Sequence, residues 1–292
     1  MININEHTIT AAVVQRLADT PNPRLKQVLT SLVTHLHDFA REVHLTEAEW
    51  MAGIQFLTAT GQMCDDKRQE FILLSDTLGL SMLTVALNHA AAPAVTESTV
   101  FGPFHVPGAP QLAAGNDLAA GAPGEPLFVQ ARVRGVDGQP VADATVDVWQ
   151  ADEDGLYDVQ RPELNQHQAR GVLHTDAQGR LHFRSVLPVA YPIPTDGPVG
   201  QMLQATGRHS WRPAHIHFMI AAPGYQKLIT HVFRSDDDYL HSDVVFGVRS
   251  SLVAKFVRHE AGTAPDGTPV QQPFHTLDFE FVLQPDASGV AG

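Results

Sequence analysis

Trp211-Arg212-Pro213-Ala214-His215-Ile216-His217-Phe218-Met219-Ile220 is the stretch on which the reading of this chain turns. If it is a β-strand, His215 and His217, two positions apart, point to the same face. Imidazoles converging from one face of a strand suit a transition metal, and Arg212 just upstream offers a fixed positive charge beside whatever such a metal holds. A His-x-His pair on its own is more often structural than ligating. The rest of the chain must therefore supply the other ligands.

Working outward, the hydrophobic period stays near two from Pro126 onward. It predicts short strands at Phe128 to Val136, Thr145 to Trp149, Leu181 to Ser185, His215 to Ala221, Leu228 to Phe233 and Leu277 to Leu283. Asp137-Gly138, Asp154-Gly155, Gln178-Gly179 and Pro223-Gly224 are turn signals between them. Many short strands separated by glycine turns point to an antiparallel β-sandwich over residues 126–292. The pattern before it is helical over residues 1–92. Leu25, Val28, Leu29, Leu32, Val33, Leu36, Phe39, Ala40 and Val43 form one apolar stripe, and Thr46 with Glu49 reads as a capping box ahead of Trp50, Met51, Ile54 and Leu57. The segment Lys67 to His89 is apolar around most of its circumference, which predicts either a central helix or a contact with something else. Residues 93–125 are rich in Pro, Gly and Ala and read as a linker, with an apolar insert at Val100-Phe101-Gly102-Pro103-Phe104 that packs on the core or lines a pocket. The expected fold is α+β, with a helical amino-terminal domain and a sandwich after it.

Composition narrows the partners. The chain has 292 residues, and 19 Lys+Arg against 32 Asp+Glu give a net charge of −13, which argues against a nucleic-acid backbone or an anionic membrane as the main partner. Cys64 is the only cysteine, so a metal here would be held by His, Tyr or carboxylates. The start MININEHTIT lacks the basic and apolar regions of a signal peptide, and no apolar run has the length of a membrane span, so a cytoplasmic location is expected. Of the four tyrosines, Tyr157 follows the turn at Asp154-Gly155 and Tyr191 lies in Leu187-Pro188-Val189-Ala190-Tyr191-Pro192-Ile193-Pro194, where the prolines forbid a regular ladder. A buried tyrosine ordinarily packs its ring and hydrogen-bonds its hydroxyl. Both of these sit at turn or loop edges instead.

Gly155-Leu156-Tyr157-Asp158, then Pro188 to Pro198, then Arg212-Pro213-Ala214-His215-Ile216-His217-Phe218 resemble, in that order, the intradiol ring-cleavage dioxygenases. The resemblance covers essentially the whole chain and includes Pro23-Arg24-Leu25, Leu73 to Gly79 and Gly102-Pro103-Phe104. Thr96 to Phe104 and Tyr191 to Thr195 look most like the hydroxyquinol-cleaving branch, with catechol 1,2-dioxygenases next. The resemblance implies a non-haem Fe(III), one per subunit, held by Tyr157, Tyr191, His215, His217 and a solvent-derived ligand. It implies O2-dependent opening of hydroxyquinol (1,2,4-trihydroxybenzene) between adjacent hydroxylated carbons, giving 3-hydroxy-cis,cis-muconate. The diol would chelate iron as a dianion in place of solvent and Tyr191, whose freed phenolate takes a proton, while Arg212 stabilises the anionic ring.

Matching positions place Leu73, Asp76, Val100, Phe101, Gly102, Pro103, Phe104, Ile193, Pro194 and Val245 around the ring. Asp76 is expected either to accept a hydrogen bond from a third ring hydroxyl or to cap a helix beginning at Thr77. The chain departs from catechol-cleaving relatives at His231, where they carry glutamine. Another polar donor near the oxygen site is expected there, and the change favours a substrate other than plain catechol. Relatives are homodimers joined through their helical domains, often around a phospholipid, and the long apolar helices here fit that. The alternatives are a catechol or chlorocatechol 1,2-dioxygenase and, more remotely, a non-catalytic sandwich used as a binding module. The last would have no reason to keep Tyr157, Tyr191, His215, His217 and Arg212 together.

Overall fold

The computed structural model describes residues 2–65, 68–89 and 94–286. The chain divides between Ala59 and Thr60 into two compact units. The boundary expected at residues 92–93 lies outside the described residues.

The first unit is helical. Helix α1 spans Ile9–Arg16, α2 spans Pro23–Glu42, and α3, Glu47–Gln62, begins in this unit. Helix α2 starts where its sequence says it should. The Asn22 side chain accepts from the backbone N–H of Leu25 at 3.0 Å, and Pro23 occupies the first turn, where its missing N–H is not needed. Thr46 and Glu49 make the reciprocal capping box ahead of α3, with Thr46 N–H on Glu49 Oε2 at 2.9 Å and Glu49 N–H on Thr46 Oγ1 at 3.3 Å. None of the residues of α2 is buried, and its apolar stripe lies open, with Leu32 51% and Phe39 52% exposed.

The second unit holds α4 (Glu70–Thr77), α5 (Leu80–Asn88), α6 (Pro198–Ala205) and the strands. The apolar segment expected as one helix is two across its described residues, bent by 77° about Gly79, whose φ of 76° a β-carbon would disfavour. Among the described residues, no single helix is long and apolar enough to cross a membrane.

The strands are β1 (Pro126–Gly135), β2 (Thr145–Gln150), β3 (Arg170–His174), β4 (Arg180–Val186), β5 (Tyr191–Pro192), β6 (Trp211–Arg212), β7 (His215–Ala221), β8 (Leu228–Arg234), β9 (Val253–Ala254), β10 (Val257–His259), β11 (Gly262–Thr263), β12 (Pro269–Val270) and β13 (Phe274–Leu283). Two main sheets, ordered β3-β2-β7-β8-β9 and β10-β13-β1-β4, carry the expected sandwich, and β5-β6 and β11-β12 form two-stranded ribbons. The pairings are mostly antiparallel. Strands β1 and β13, and β8 and β9, run parallel. Val129, Ala131 and Val133 of β1, Leu277 and Phe281 of β13, and Ile216, Phe218 and Ile220 of β7 meet in one core cluster. Because side chains alternate along β7, burying Ile216, Phe218 and Ile220 in this core turns His215 and His217 to the opposite face.

Candidate metal centre

On that face the sheet register lines up a row of rings. Trp149 of β2 pairs with His217 of β7, which pairs with His231 of β8. Trp149 stacks on His217 with centroids 4.7 Å apart and planes 15° from parallel. His215, His217 and His231 are all buried, and one ring nitrogen from each lies within 4.8 Å of the others. His215 Nδ1 meets the Pro213 carbonyl at 2.6 Å. A carbonyl only accepts, so His215 carries its proton on Nδ1 and presents a lone pair at Nε2. That Nε2 stands 3.1 Å from His217 Nε2. Burial pushes all three imidazoles well below the ordinary histidine range. Arg212 deepens the shift for His215, and the neighbouring imidazoles ahead of Arg212 deepen it for His217 and His231, so the rings are neutral, as metal ligands must be.

Two phenols close the opposite side. Tyr157 precedes a 3-10 turn at Asp158–Gln160, and its ring is fully buried under Phe104, stacked at 4.5 Å. Asp158 is ion-paired to buried Arg170, which also donates to the Phe104 carbonyl at 2.9 Å, so one guanidinium fixes both the tyrosine turn and the ring over it. Tyr191 lies in β5, directly opposite Arg212 of β6. Gly155, with φ of 75°, lets the turn before Tyr157 lie against Tyr191, since a β-carbon there would stand 2.8 Å from that of Tyr191. The result is a convergence: Tyr157 Oη is 3.2 Å from Tyr191 Oη and 2.9 Å from His217 Nε2. Burial pushes the Tyr157 phenol well up, the charge and hydrogen bond of Tyr191 add to that, and Arg212 and Arg170 pull against it. Two phenol oxygens and two imidazole nitrogens aimed at one dry point form a donor set suited to a hard or borderline cation, which would neutralise phenolates that the buried site alone disfavours. The residues fit a non-haem metal.

Arg212 flanks this point. It is buried, donates from Nη1 to His215 Nε2 at 3.2 Å, and pairs with Asp243 through Nε at 3.2 Å and Nη2 at 3.4 Å. Burial works against its charge, but Asp243 and the two tyrosines outweigh that and raise its pKa further, so it stays a cation. Asp243 is itself tied down by the N–H groups of Val245 and Gly247. Arg208 donates to the Thr77 carbonyl at 2.7 Å and the Val244 carbonyl at 3.1 Å, which joins the end of α4 to the segment carrying Asp243 and Val245. Asp76 therefore comes within electrostatic reach of Arg212 and Asp243. It lies inside α4, is buried beside the Ser81 hydroxyl, and caps nothing: α5 begins at Leu80 with Gly79 at its cap. Burial raises its pKa, with Ser81 and Arg212 acting in the other direction.

Of the other residues expected around the ring, Phe104 stacks on Tyr157 and Gly102 lies against His217. Leu73, Val100, Ile193 and Val245 are buried, Ile193 and Pro194 continue from Tyr191, and Pro103 and Phe104 follow Gly102. Gly102, with φ of 77°, packs on His217, where an added β-carbon would stand 3.0 Å from Cε1. Phe101 remains partly exposed and packs on His105 and Trp149. His231 is not a free donor, since both of its nitrogens are engaged, Nε2 with His217 Nδ1 at 2.8 Å and Nδ1 with Thr99 Oγ1 at 2.7 Å. Reading the sequence missed Thr99, Trp149, Arg170 and Asp243, and with them His105, whose Nε2 lies 2.7 Å from Asp147 Oδ2. Each acts through a partner many residues away.

Residues 100–285 match the family described as Dioxygenase and residues 22–96 the one described as Catechol dioxygenase N terminus. The chain is 63% identical to a 6-chlorohydroxyquinol 1,2-dioxygenase of Cupriavidus pinatubonensis, covering 98% of this chain and 99% of that one. Among solved structures it superposes on a hydroxyquinol 1,2-dioxygenase of Pseudomonas putida with a TM-score of 0.89 at 50% identity, covering 96% of this chain and 99% of that one. It also superposes on a catechol 1,2-dioxygenase of Pseudomonas arvilla with a TM-score of 0.84 at 30% identity, covering 97% and 94%. With both halves of the chain matched and its two phenols, two imidazoles and buried arginine converging on one point, the chain belongs to the intradiol ring-cleavage dioxygenases.

Proposed function

We propose that this enzyme opens hydroxyquinol with O2 between adjacent hydroxylated carbons to give 3-hydroxy-cis,cis-muconate, at a ferric ion held by Tyr157, Tyr191, His215 and His217, one per subunit. The observation that carries the proposal is the convergence of Tyr157 Oη, Tyr191 Oη, His215 Nε2 and His217 Nε2 beside Arg212. When bound, the ferric ion supplies the Lewis acidity that favours the deprotonated diol and the electronic character that lets its ring react with O2. The protein's residues do the rest. Tyr191, on the proline-rich segment, is suited as a phenolate to take the proton the diol gives up. Arg212, kept cationic by Asp243, faces the negative charge that develops on the ring, in a site dry enough to make that charge count.

Asp76 selects the third hydroxyl. Beside a catechol this buried carboxyl has the Ser81 hydroxyl on it but no donor from the ring, whereas hydroxyquinol brings one, so the selectivity comes from lone pairs left unpaired in the wrong complex. The relative named for 6-chlorohydroxyquinol favours a chlorinated ring as a second substrate. Two further readings belong here. The exposed stripe of α2 supports a homodimer through the helical part of the chain, with a phospholipid against its apolar faces. We place the protein in the cytoplasm, and we treat residues 1–92 as the dimerising part, 93–125 as the pocket-lining connection and 126–292 as the catalytic sandwich. The test is kcat/KM for hydroxyquinol against catechol with iron-loaded protein. Faster cleavage of catechol overturns the substrate assignment, and colourless, iron-free active protein overturns the ligand set.

A further inference from the structure

His231 and Thr99 form a chain of hydrogen bonds that ends on the far edge of a proposed ligand. His231 Nε2 meets His217 Nδ1 at 2.8 Å, and His231 Nδ1 meets Thr99 Oγ1 at 2.7 Å; all three residues are buried. The other nitrogen of His217, Nε2, faces Tyr157 Oη at 2.9 Å and His215 Nε2 at 3.1 Å. The valence of imidazole then fixes every proton. A ligand at Nε2 must offer a lone pair there, so His217 carries its proton on Nδ1 and donates it to His231 Nε2. His231 must in turn carry its own proton on Nδ1 and donate to Thr99. We infer that Thr99 and His231 are positioning residues that fix the ring orientation and tautomer of His217, so that His231 acts behind the ligand and not as a third ligand or as a donor to oxygen.

The chain of bonds also joins two parts of the site. Thr99 directly precedes the segment Val100 to Phe104, and its N–H donates to the Ile229 carbonyl of β8 at 2.9 Å, while Thr230 Oγ1 donates to the Glu97 carbonyl at 2.7 Å. Three residues on, Gly102 lies against His217 Cε1. The segment that walls the proposed ring pocket thus grips His217 twice, at its Cε1 through Gly102 and at Nδ1 through Thr99 and His231. A shift of this segment therefore moves the ligand as well as the pocket wall.

The inference rests on the proposed ligand set, so the experiment carries a control for it. The full-length protein and its His231→Leu, His231→Gln, Thr99→Val, Thr99→Ser and His217→Ala variants are loaded with iron. Each is read by the position of the tyrosinate-to-iron absorption band and by the half-life of iron against a chelator. His231→Leu is expected to shift the band and to release iron about 10- to 100-fold faster, the usual scale for a group behind a metal ligand. Glutamine keeps an acceptor for His217 Nδ1 and should restore most of the half-life. Thr99→Val should move both readings in the same direction by less, and Thr99→Ser should restore them. An unchanged band and half-life in His231→Leu, while His217→Ala loses iron, overturns the positioning role and leaves the ligand set standing. Retention of iron and colour by His217→Ala overturns the ligand set and the inference with it. Should His231→Leu be insoluble, the threonine pair decides: equal half-lives for valine and serine overturn the relay.

Discussion

Helix α2 and strand β7 break the rule of inside and outside in opposite ways. Helix α2 leaves Leu25, Val28, Leu32, Leu36 and Phe39 in the open, whereas β7 buries His215 and His217, beside the buried charge of Arg212. An exposed apolar stripe and a buried polar cluster are the informative departures in any fold, because each costs free energy until something outside the chain offsets it. The two deficits call for different things. A stripe asks only for area and leaves its partner's chemistry loosely specified, whereas converging lone pairs at fixed distances specify a charge, a size and a coordination. The comparison teaches why the chemistry was readable at β7 and the partner at α2 was not.

The sharpest way to break the comparison is to remove a lone pair. His217→Ala is expected to abolish both the colour of the iron-loaded protein and its turnover, by about 10³-fold or more, because groups that act as a unit fail together. Turnover of hydroxyquinol within a few-fold of the parent would show that the convergence at β7 is structural. Next comes the charge beside it. Arg212→Gln should lower kcat by about 10² to 10³, the usual cost of losing one preorganised donor facing developing charge. It also leaves Asp243 buried without its partner, so Tm should fall with it. A lower Tm with normal kcat would reduce Arg212 to a structural ion pair.

A smaller effect is expected at Asp76, and there stability and function should part. Asp76→Asn should lower the ratio of kcat/KM for hydroxyquinol over catechol by about 10- to 100-fold, the scale of one unpaired buried acceptor. Burial holds the Asp76 carboxyl above its unfolded pKa. Ionisation therefore costs more in the folded state than in the unfolded one, and the stability this carboxyl contributes is present below its unfolded pKa and lost as pH rises through the folded value. The Tm of the asparagine variant relative to the parent should accordingly improve between pH 4 and pH 7. A selectivity ratio that does not move would remove Asp76 from substrate recognition.

How much of this was visible beforehand follows the same divide. Strand β7 was legible to its end residues because Ile216, Phe218 and Ile220 alternate with the histidines, and α2 was legible because its apolar stripe behind Pro23 is a local signal. Strand β3 was missed, since Arg170-Gly171-Val172-Leu173-His174 shows no alternation, being buried on both faces at its start. The parallel pairing of β1 with β13 joins residues almost 150 positions apart and leaves no local trace. The ligand candidates carry their chemistry in their residue types, so they could be picked out one by one. Their supports could not: Thr99 is a threonine in a loop until the fold brings it to His231, 132 positions on, and Arg170 is one more arginine until Asp158 and Phe104 meet it.

The smallest catalytic effect is expected where the stripe is cut, and it bears most directly on what the stripe is for. Covering an exposed leucine on association contributes roughly 1.5–3 kcal/mol, so two charges placed in the middle of α2 should outweigh a modest interface. Leu32→Asp with Leu36→Asp is expected to convert a homodimer to monomer in sedimentation, and to reduce any bound phospholipid in mass spectrometry of extracts. On a surface that remains open in the monomer the same substitutions change folding stability little, within about 0.5 kcal/mol. Every group proposed to touch the substrate, metal or O2 belongs to residues 60–292, so kcat/KM should stay within about twofold of the parent once iron is loaded to the same level. A dimer that survives both charges assigns the stripe to some other partner. A monomer that loses turnover in step with its dimer would mean that the deficit at α2 and the deficit at β7 are not independent, and that association helps hold the ring pocket in shape.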